Sequence, residues 1–199
     1  VLAHCDKLVV HSNSVLGLVE SAVGVVPSGG GVKESYLRWY QQTGSWDEAA
    51  WKCWMNIGYA ATGSSPELSA RLQYFRPEQD ETIMNRDRLL PRAIALVGEL
   101  AVNYQPPKPP KAQLATASLA DKMADFMQTG IDKGDFMPHD KTTAMAIASI
   151  MVQSAGDAAD VDEDTLYARE RAAFISLAKT APTHQRISSM LGDGAAVRN

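Results

Sequence analysis

Apolar residues fall first into two short runs and then into helical stripes. Lys7-Leu8-Val9-Val10-His11 and Val15-Leu16-Gly17-Leu18-Val19 flank Ser12-Asn13-Ser14, a turn composition, and predict two short strands. Beyond Val25-Val26, the turn Pro27-Ser28-Gly29-Gly30-Gly31 leads into Val32, Tyr36, Leu37 and Tyr40, which recur at helical spacing until Gly44. Ser45-Trp46-Asp47-Glu48 has the form of a capping box, whose serine and glutamate each satisfy a backbone N–H of the following helix, here expected to reach about Ala61. Ser65-Pro66 supplies an N-cap and an N1 proline for a helix through Tyr74, stopped by Pro77. Thr82-Ile83-Met84-Asn85 is expected to be extended, and Asp87 to cap a helix with Leu90, Ile94, Val97 and Ala101 on one stripe. Helices are expected near 118–133, 140–154, 163–179 and 183–191, with core stripes such as Leu119, Met123, Phe126 and Met127.

Gln105-Pro106-Pro107-Lys108-Pro109-Pro110-Lys111 holds four prolines in seven residues, which excludes helix and ladder strand and predicts a stiff polyproline II spacer. It divides the chain into 1–104 and 112–199. With 199 residues, 45% hydrophobic and 21% charged, there is length for one sizeable core or two small ones. A net charge of -4 without a Lys/Arg cluster argues against a nucleic-acid partner. No apolar run approaches the ~20 residues of a membrane span, and no basic-then-apolar leader opens the chain. Cys5 and Cys53 lack paired spacings and fit a reducing, cytoplasmic compartment better than a disulfide framework. Val1-Leu2-Ala3-His4-Cys5-Asp6 has no polar lead-in or cap, so the chain is expected to begin inside a structural element.

The candidate chemistry centres on Gly17-Leu18-Val19-Glu20, where a carboxylate interrupts apolar residues just before the glycine-rich helix start. A half-buried carboxylate there could exchange protons near neutral pH; a glutamate turned to solvent at a strand end is the plainer alternative. The triple glycine offers close backbone approach to a ligand at a helix N-terminus, or simply a tight turn. A P-loop is excluded because Glu34 follows Lys33 where the motif requires serine or threonine. His4, His11, His139 and His184 show no metal-ligand spacing, so no metal is expected. Trp46, Trp51 and Trp54 form a core or interface stripe on one helix.

Taken together, Cys5-Asp6, Gly17-Leu18-Val19-Glu20 and Gly24-Val25-Val26-Pro27-Ser28-Gly29-Gly30-Gly31-Val32-Lys33-Glu34 resemble the segment following the oxyanion loop of enoyl-CoA hydratases. Met84-Asn85-Arg86-Asp87-Arg88-Leu89-Leu90, Glu170-Arg171-Ala172-Ala173-Phe174, Thr183-His184-Gln185-Arg186-Ile187 and Val197-Arg198-Asn199 look like the tail of a subgroup in which a 3-hydroxyacyl-CoA dehydrogenase precedes the hydratase. The resemblance implies an α/β crotonase-like (ClpP/crotonase) fragment, here predominantly α-helical with two or three short strands. It implies hydration of a 2-enoyl-CoA, with Glu20 as a catalytic residue and Gly17, Pro27, Ser28 and Gly29 lining the substrate site; Ser28 replaces the expected glycine or alanine.

The family's first glutamate and its oxyanion donors would fall before Val1. Losing a general acid/base costs about 10²–10⁴-fold and losing an oxyanion donor about 10²–10³-fold, so the chain alone is expected to be inactive. The parent would act in fatty-acid β-oxidation on a coenzyme A thioester, with NAD bound upstream; no Gly-x-Gly-x-x-Gly occurs here. The expected partners are the acyl-CoA substrate, the upstream portion of the same polypeptide and a second copy in a homo-oligomer. A helical interface module without catalysis and a crotonase-superfamily isomerase are the rival readings.

Overall fold

The strands of this protein are too short to build a common sheet. The computed structural model describes residues 2–199; Val1, on which the expectation of a mid-element start rests, lies outside the described residues. Among those residues the six strands span two or three residues each and form three separate two-stranded pairs, against eight α-helices. Contacts divide the chain into two compact units. One takes the residues through Gly17 with Thr62–Pro109, the other Leu18–Ala61 with Pro110–Asn199. The chain therefore passes between units at three places, one of them Pro109 to Pro110, and a linear cut into 1–104 and 112–199 groups the residues differently.

In the first unit, β1 (Val9–His11) runs parallel to β4 (Glu81–Ile83), with Val9 opposite Glu81. The antiparallel pair β2 (Leu16–Gly17) and β3 (Thr62–Gly63) sets Gly17 opposite Thr62. Leu8, Val10 and Phe75 are its buried centre. Buried Asp80 fixes this corner: Oδ1 accepts the Leu8 amide at 2.9 Å and Oδ2 the Arg76 amide at 2.7 Å. The Arg76 guanidinium in turn donates to the carbonyls of Cys5 and Asp6. Such a carboxylate satisfies donors that a chain with so little ladder would otherwise leave open.

Two expectations fail in this unit. Ser65 does cap α3 (Pro66–Ala70) at the Leu68 amide, but the helix ends at Ala70 and Gln73 takes φ +60°, a left-handed conformation that no α-helix continues. Asn85, not Asp87, supplies the cap ahead of α4 (Leu89–Ala101), accepting the Asp87 amide at 3.0 Å. The residue of α4 that is fully covered is Leu96; Leu90, Ile94 and Val97 stand 69%, 64% and 66% exposed. α4 is apolar on both sides, and periodicity alone could not say which side meets the core.

The second unit is helical: α1 (Gly31–Thr43), α2 (Trp46–Gly58), α5 (Ser118–Asp132), α6 (Pro138–Met151), α7 (Glu163–Ala178) and α8 (Ala181–Asp193). α6 lies against α2, α5 and α7. Ala49, Ala50, Ala144 and Ala148 are small enough for close helix approach, and Trp54, Ile57, Met123, Ile147, Ile150 and Met151 fill the centre. Burying each of these large side chains is worth roughly 1.5–3 kcal/mol. Gly44, at φ +69°, turns the chain from α1 into α2, where the Ser45 hydroxyl accepts the Glu48 amide at 3.4 Å, one half of the capping box. The polyproline stretch ends in a strand: β5 (Lys111–Gln113) pairs antiparallel with β6 (Asp160–Asp162), and the Tyr36 hydroxyl donates to the Gln113 carbonyl at 2.8 Å.

The α/β crotonase-like fold class is accordingly corrected. A stacked sheet needs strands long enough to share ladders, and here none of the three pairs joins another. The architecture is helical with few strands. Among the described residues no helix is long and apolar enough to cross a membrane.

Candidate functional site

Glu20 opens a 3₁₀ turn (Glu20–Val23) that Gly24 closes at φ +80°. Its side chain is half-buried, and its Oε2 atom is buried without a hydrogen-bond partner among the described residues. Gly17 belongs to β2 in the first unit. Pro27 is buried, with its Cβ 2.7 Å from where a Cβ at Gly31 would fall, so the turn can close only on a glycine. Ser28 and Gly29 are exposed.

The helix start that these residues lead into is already occupied. Glu170, fully buried on α7, accepts the Gly30 amide on Oε2 at 2.7 Å and the Lys33 amide on Oε1 at 2.6 Å. A carboxylate at a helix N-terminus satisfies orphan amides and meets the positive end of the helix dipole. The chain thus places its own anion on these amides, which favours the tight-turn reading of the glycines over an open cradle for a ligand.

Lys33 closes the same corner. It is buried between Glu34 at 2.7 Å and Glu163 at 2.8 Å, with its ammonium 4.5 Å from the centre of the Tyr167 ring. Burial opposes its charge, but hydrogen bonds to Glu163 and Glu34 outweigh that and hold its pKa above the ordinary lysine value. Desolvation by burial pushes the Cys53 thiol up to about 12, so this cysteine is a small apolar side chain at neutral pH.

A cavity of about 340 Å³ lies elsewhere in the second unit. Trp54, Tyr59, Phe126, Phe136, Met55 and Met127 form its apolar wall. The rings meet edge to face, Trp54 and Phe126 at 5.7 Å and Tyr59 and Phe136 at 5.9 Å between centres. Trp54 is anchored by its indole N–H, which donates to the Ala144 carbonyl at 2.8 Å. Gly130 lets Phe136 seat against α5, since a Cβ there would collide with the ring.

Ala196, Val197 and Arg198 form another side of this cavity, in a segment that Gly194 turns back at φ +75°. Buried Arg186 fastens that segment: it donates to Asp140 Oδ1 at 2.7 Å, to Asn199 Oδ1 at 2.8 Å and to the Asn199 carbonyl at 3.1 Å. The His139 amide also donates to the Asn199 carbonyl, and Arg198 to the Asp135 carbonyl at 2.6 Å. The His139 ring lies 2.9 Å from the Thr183 hydroxyl, which donates to the Gly24 carbonyl at 2.8 Å. Burial first, and then the nearby Arg186 charge, lower the His139 pKa, so the ring is held neutral.

None of Glu20, Gly17, Pro27, Ser28 and Gly29 lines the cavity, although Ser21 and Ala22 do. Arg186 and Arg198 stand in sequence stretches singled out only for their resemblance, and Trp54 in a stripe read as core. Only the aromatic spacing on α2 carried a signal that could have found the cavity. Among the described residues no group of three or more His, Cys, Asp or Glu side chains is gathered where a metal ion could be held.

A helical unit around a largely apolar cavity is the class of protein that this geometry defines. No protein-family model matches the chain, and no solved structure matches it. It is 31% identical over 191 residues, 94% of its length, to a Bacillus subtilis (strain 168) protein described as a probable 3-hydroxyacyl-CoA dehydrogenase. The chain spans about a quarter of that protein, 24% of its length. This similarity completes the correction of fold class, since the relative is described as a dehydrogenase and nothing in the match points to a crotonase.

Proposed function

We propose that this chain is one part of a polypeptide that oxidises 3-hydroxyacyl-CoA esters in fatty-acid β-oxidation. The observation that carries the reading is the 31% identity, over nearly the whole chain, to the Bacillus subtilis protein so described. Oxidation of a 3-hydroxyl group transfers a hydride, for which NAD is the acceptor we assign, and dinucleotides are held by a strand–glycine loop–helix unit with Gly-x-Gly-x-x-Gly. The chain carries no such glycine spacing, so we assign the NAD site to another part of the parent. The residues present here would then serve substrate and packing, not hydride transfer.

Hydration of an enoyl-CoA by Glu20 is left out of the proposal. The relative that carries the reading is described as a dehydrogenase, and nothing in that description names a hydratase. The test is NADH formation from 3-hydroxybutyryl-CoA, followed by absorbance, for the parent polypeptide and for this chain. Turnover by the parent and none by the chain is expected; a parent that reduces no NAD on this substrate ends the reading.

A second reading is supported by α4, whose Leu90, Ile94 and Val97 face solvent. A run of large apolar side chains at that exposure is the kind of surface that other protein covers. On this reading the first unit packs against the rest of the parent polypeptide.

A further inference from the structure

We propose that the cavity of the second unit is a binding site for an uncharged acyl group of up to about a dozen carbons. This deepens the functional proposal and rests on it for the choice of acyl chemistry. The size follows from the volume: a cavity of about 150 Å³ holds a six-carbon ring, so about 340 Å³ holds roughly twice that. Binding pockets for small molecules begin near this volume and are largely apolar with a few polar groups, as here.

The charge balance selects a neutral group. Asp135, Asp140, Arg186 and Arg198 give the lining two charges of each sign. Asp140 and Arg186 are paired with each other at 2.7 Å, and Arg198 is turned onto the Asp135 carbonyl. No net positive charge is left to draw in a free carboxylate, whereas an acyl chain carried as a thioester has none to satisfy. The unbranched thioethers of Met55 and Met127 adapt to a chain of variable length, and the aromatic rings supply the contact area.

The experiment titrates this chain with the butyryl, octanoyl and decanoyl thioesters of N-acetylcysteamine, which lack the nucleotide, and with decanoate, coenzyme A and decanoyl-CoA. Calorimetry and tryptophan fluorescence are read together, Trp54 standing in the cavity wall. Affinity rises from butyryl to decanoyl, and decanoate binds more weakly than the decanoyl thioester. Gly58→Leu places a side chain at the cavity where a Cβ would meet nothing within 4 Å, and weakens decanoyl binding about tenfold or more with an unchanged melting temperature. Ala22→Leu, at an exposed lining position, acts in the same direction and serves if Gly58→Leu fails to fold.

Binding independent of acyl length, or unaffected by both variants, overturns the proposal. Coenzyme A binding as tightly as decanoyl-CoA overturns it too, while leaving the dehydrogenase reading standing. Length-dependent binding by the simple thioesters, with a parent that oxidises no 3-hydroxyacyl-CoA, keeps the cavity and removes the function.

Discussion

The Glu170 carboxylate and the Gly30 amide meet at 2.7 Å although 140 residues separate them in the chain. Gly30 is the N-cap residue of α1 and has no side chain to cap with, so Glu170 does this from α7. Removing it strands two buried donors at roughly 1–3 kcal/mol each, and Glu170→Ala is expected to lose about 3 kcal/mol or more of unfolding free energy. Glu170→Gln keeps an acceptor and loses less. Urea unfolding of both variants measures this; an alanine variant within about 0.5 kcal/mol of the wild type would mean that water satisfies the amides instead.

His139 makes stability depend on pH in a narrow window. The unfolded chain takes up this proton near the ordinary histidine value of 6.5, while the folded protein resists it. The unfolded state therefore binds more protons as the pH falls below 6.5, and stability declines through that range and is fully present above it. The carboxylates held low by partners, among them Glu81, Asp157 and Asp162, lose their stabilising contribution only below their ordinary values of 4.5 and 3.8. Melting temperatures between pH 6.5 and 5 should fall more steeply for the wild type than for His139→Gln. Parallel curves would assign the acid sensitivity to another group.

The two cysteines should react at different rates. Cys53 is fully buried with its thiol pushed up to about 12, and Cys5 is partly exposed. A thiol-specific disulfide reagent at pH 8 is expected to titrate Cys5 in the folded protein, and Cys53 only after denaturant is added. Fast reaction of Cys53 in the folded protein, seen by mass spectrometry of peptides, counts against the core as described.

The exposed stripe on α4 should limit solubility when nothing covers it. Leu90→Glu with Ile94→Lys puts an i,i+4 charge pair on two exposed positions and is expected to leave the melting temperature within a few degrees while raising solubility. If the paired variant instead unfolds, the stripe is part of a core.

The helices of the second unit were the most legible part of this sequence. Ser45, with its partner Glu48, announced the start of α2, and the stripe of Leu119, Met123 and Met127 on α5 is buried. Such signals are local, so one chain segment is enough to read them. The cavity was illegible for the opposite reason: Trp54, Phe126, Arg186 and Val197 come from four separate stretches, and no local period links them. The same distance hid Glu170 as a cap, which left the glycine turn looking open. On α4 the period placed Leu90, Ile94 and Val97 on one stripe, but a helix apolar on both sides does not declare which one is covered, and the structure buries Leu96 instead.

Gly17 and Thr62 are cross-strand partners, which puts their Cα atoms about 5 Å apart. Leu18–Ala61, one of the two stretches of the second unit, therefore leaves a host, the first unit, and returns to it at adjacent points. A gene that fuses Gly17 to Thr62 through a short glycine linker and stops at Pro109 should encode a host that still melts cooperatively by circular dichroism. That cut removes both stretches of the second unit and leaves every hydrogen bond between β1 and β4 in place.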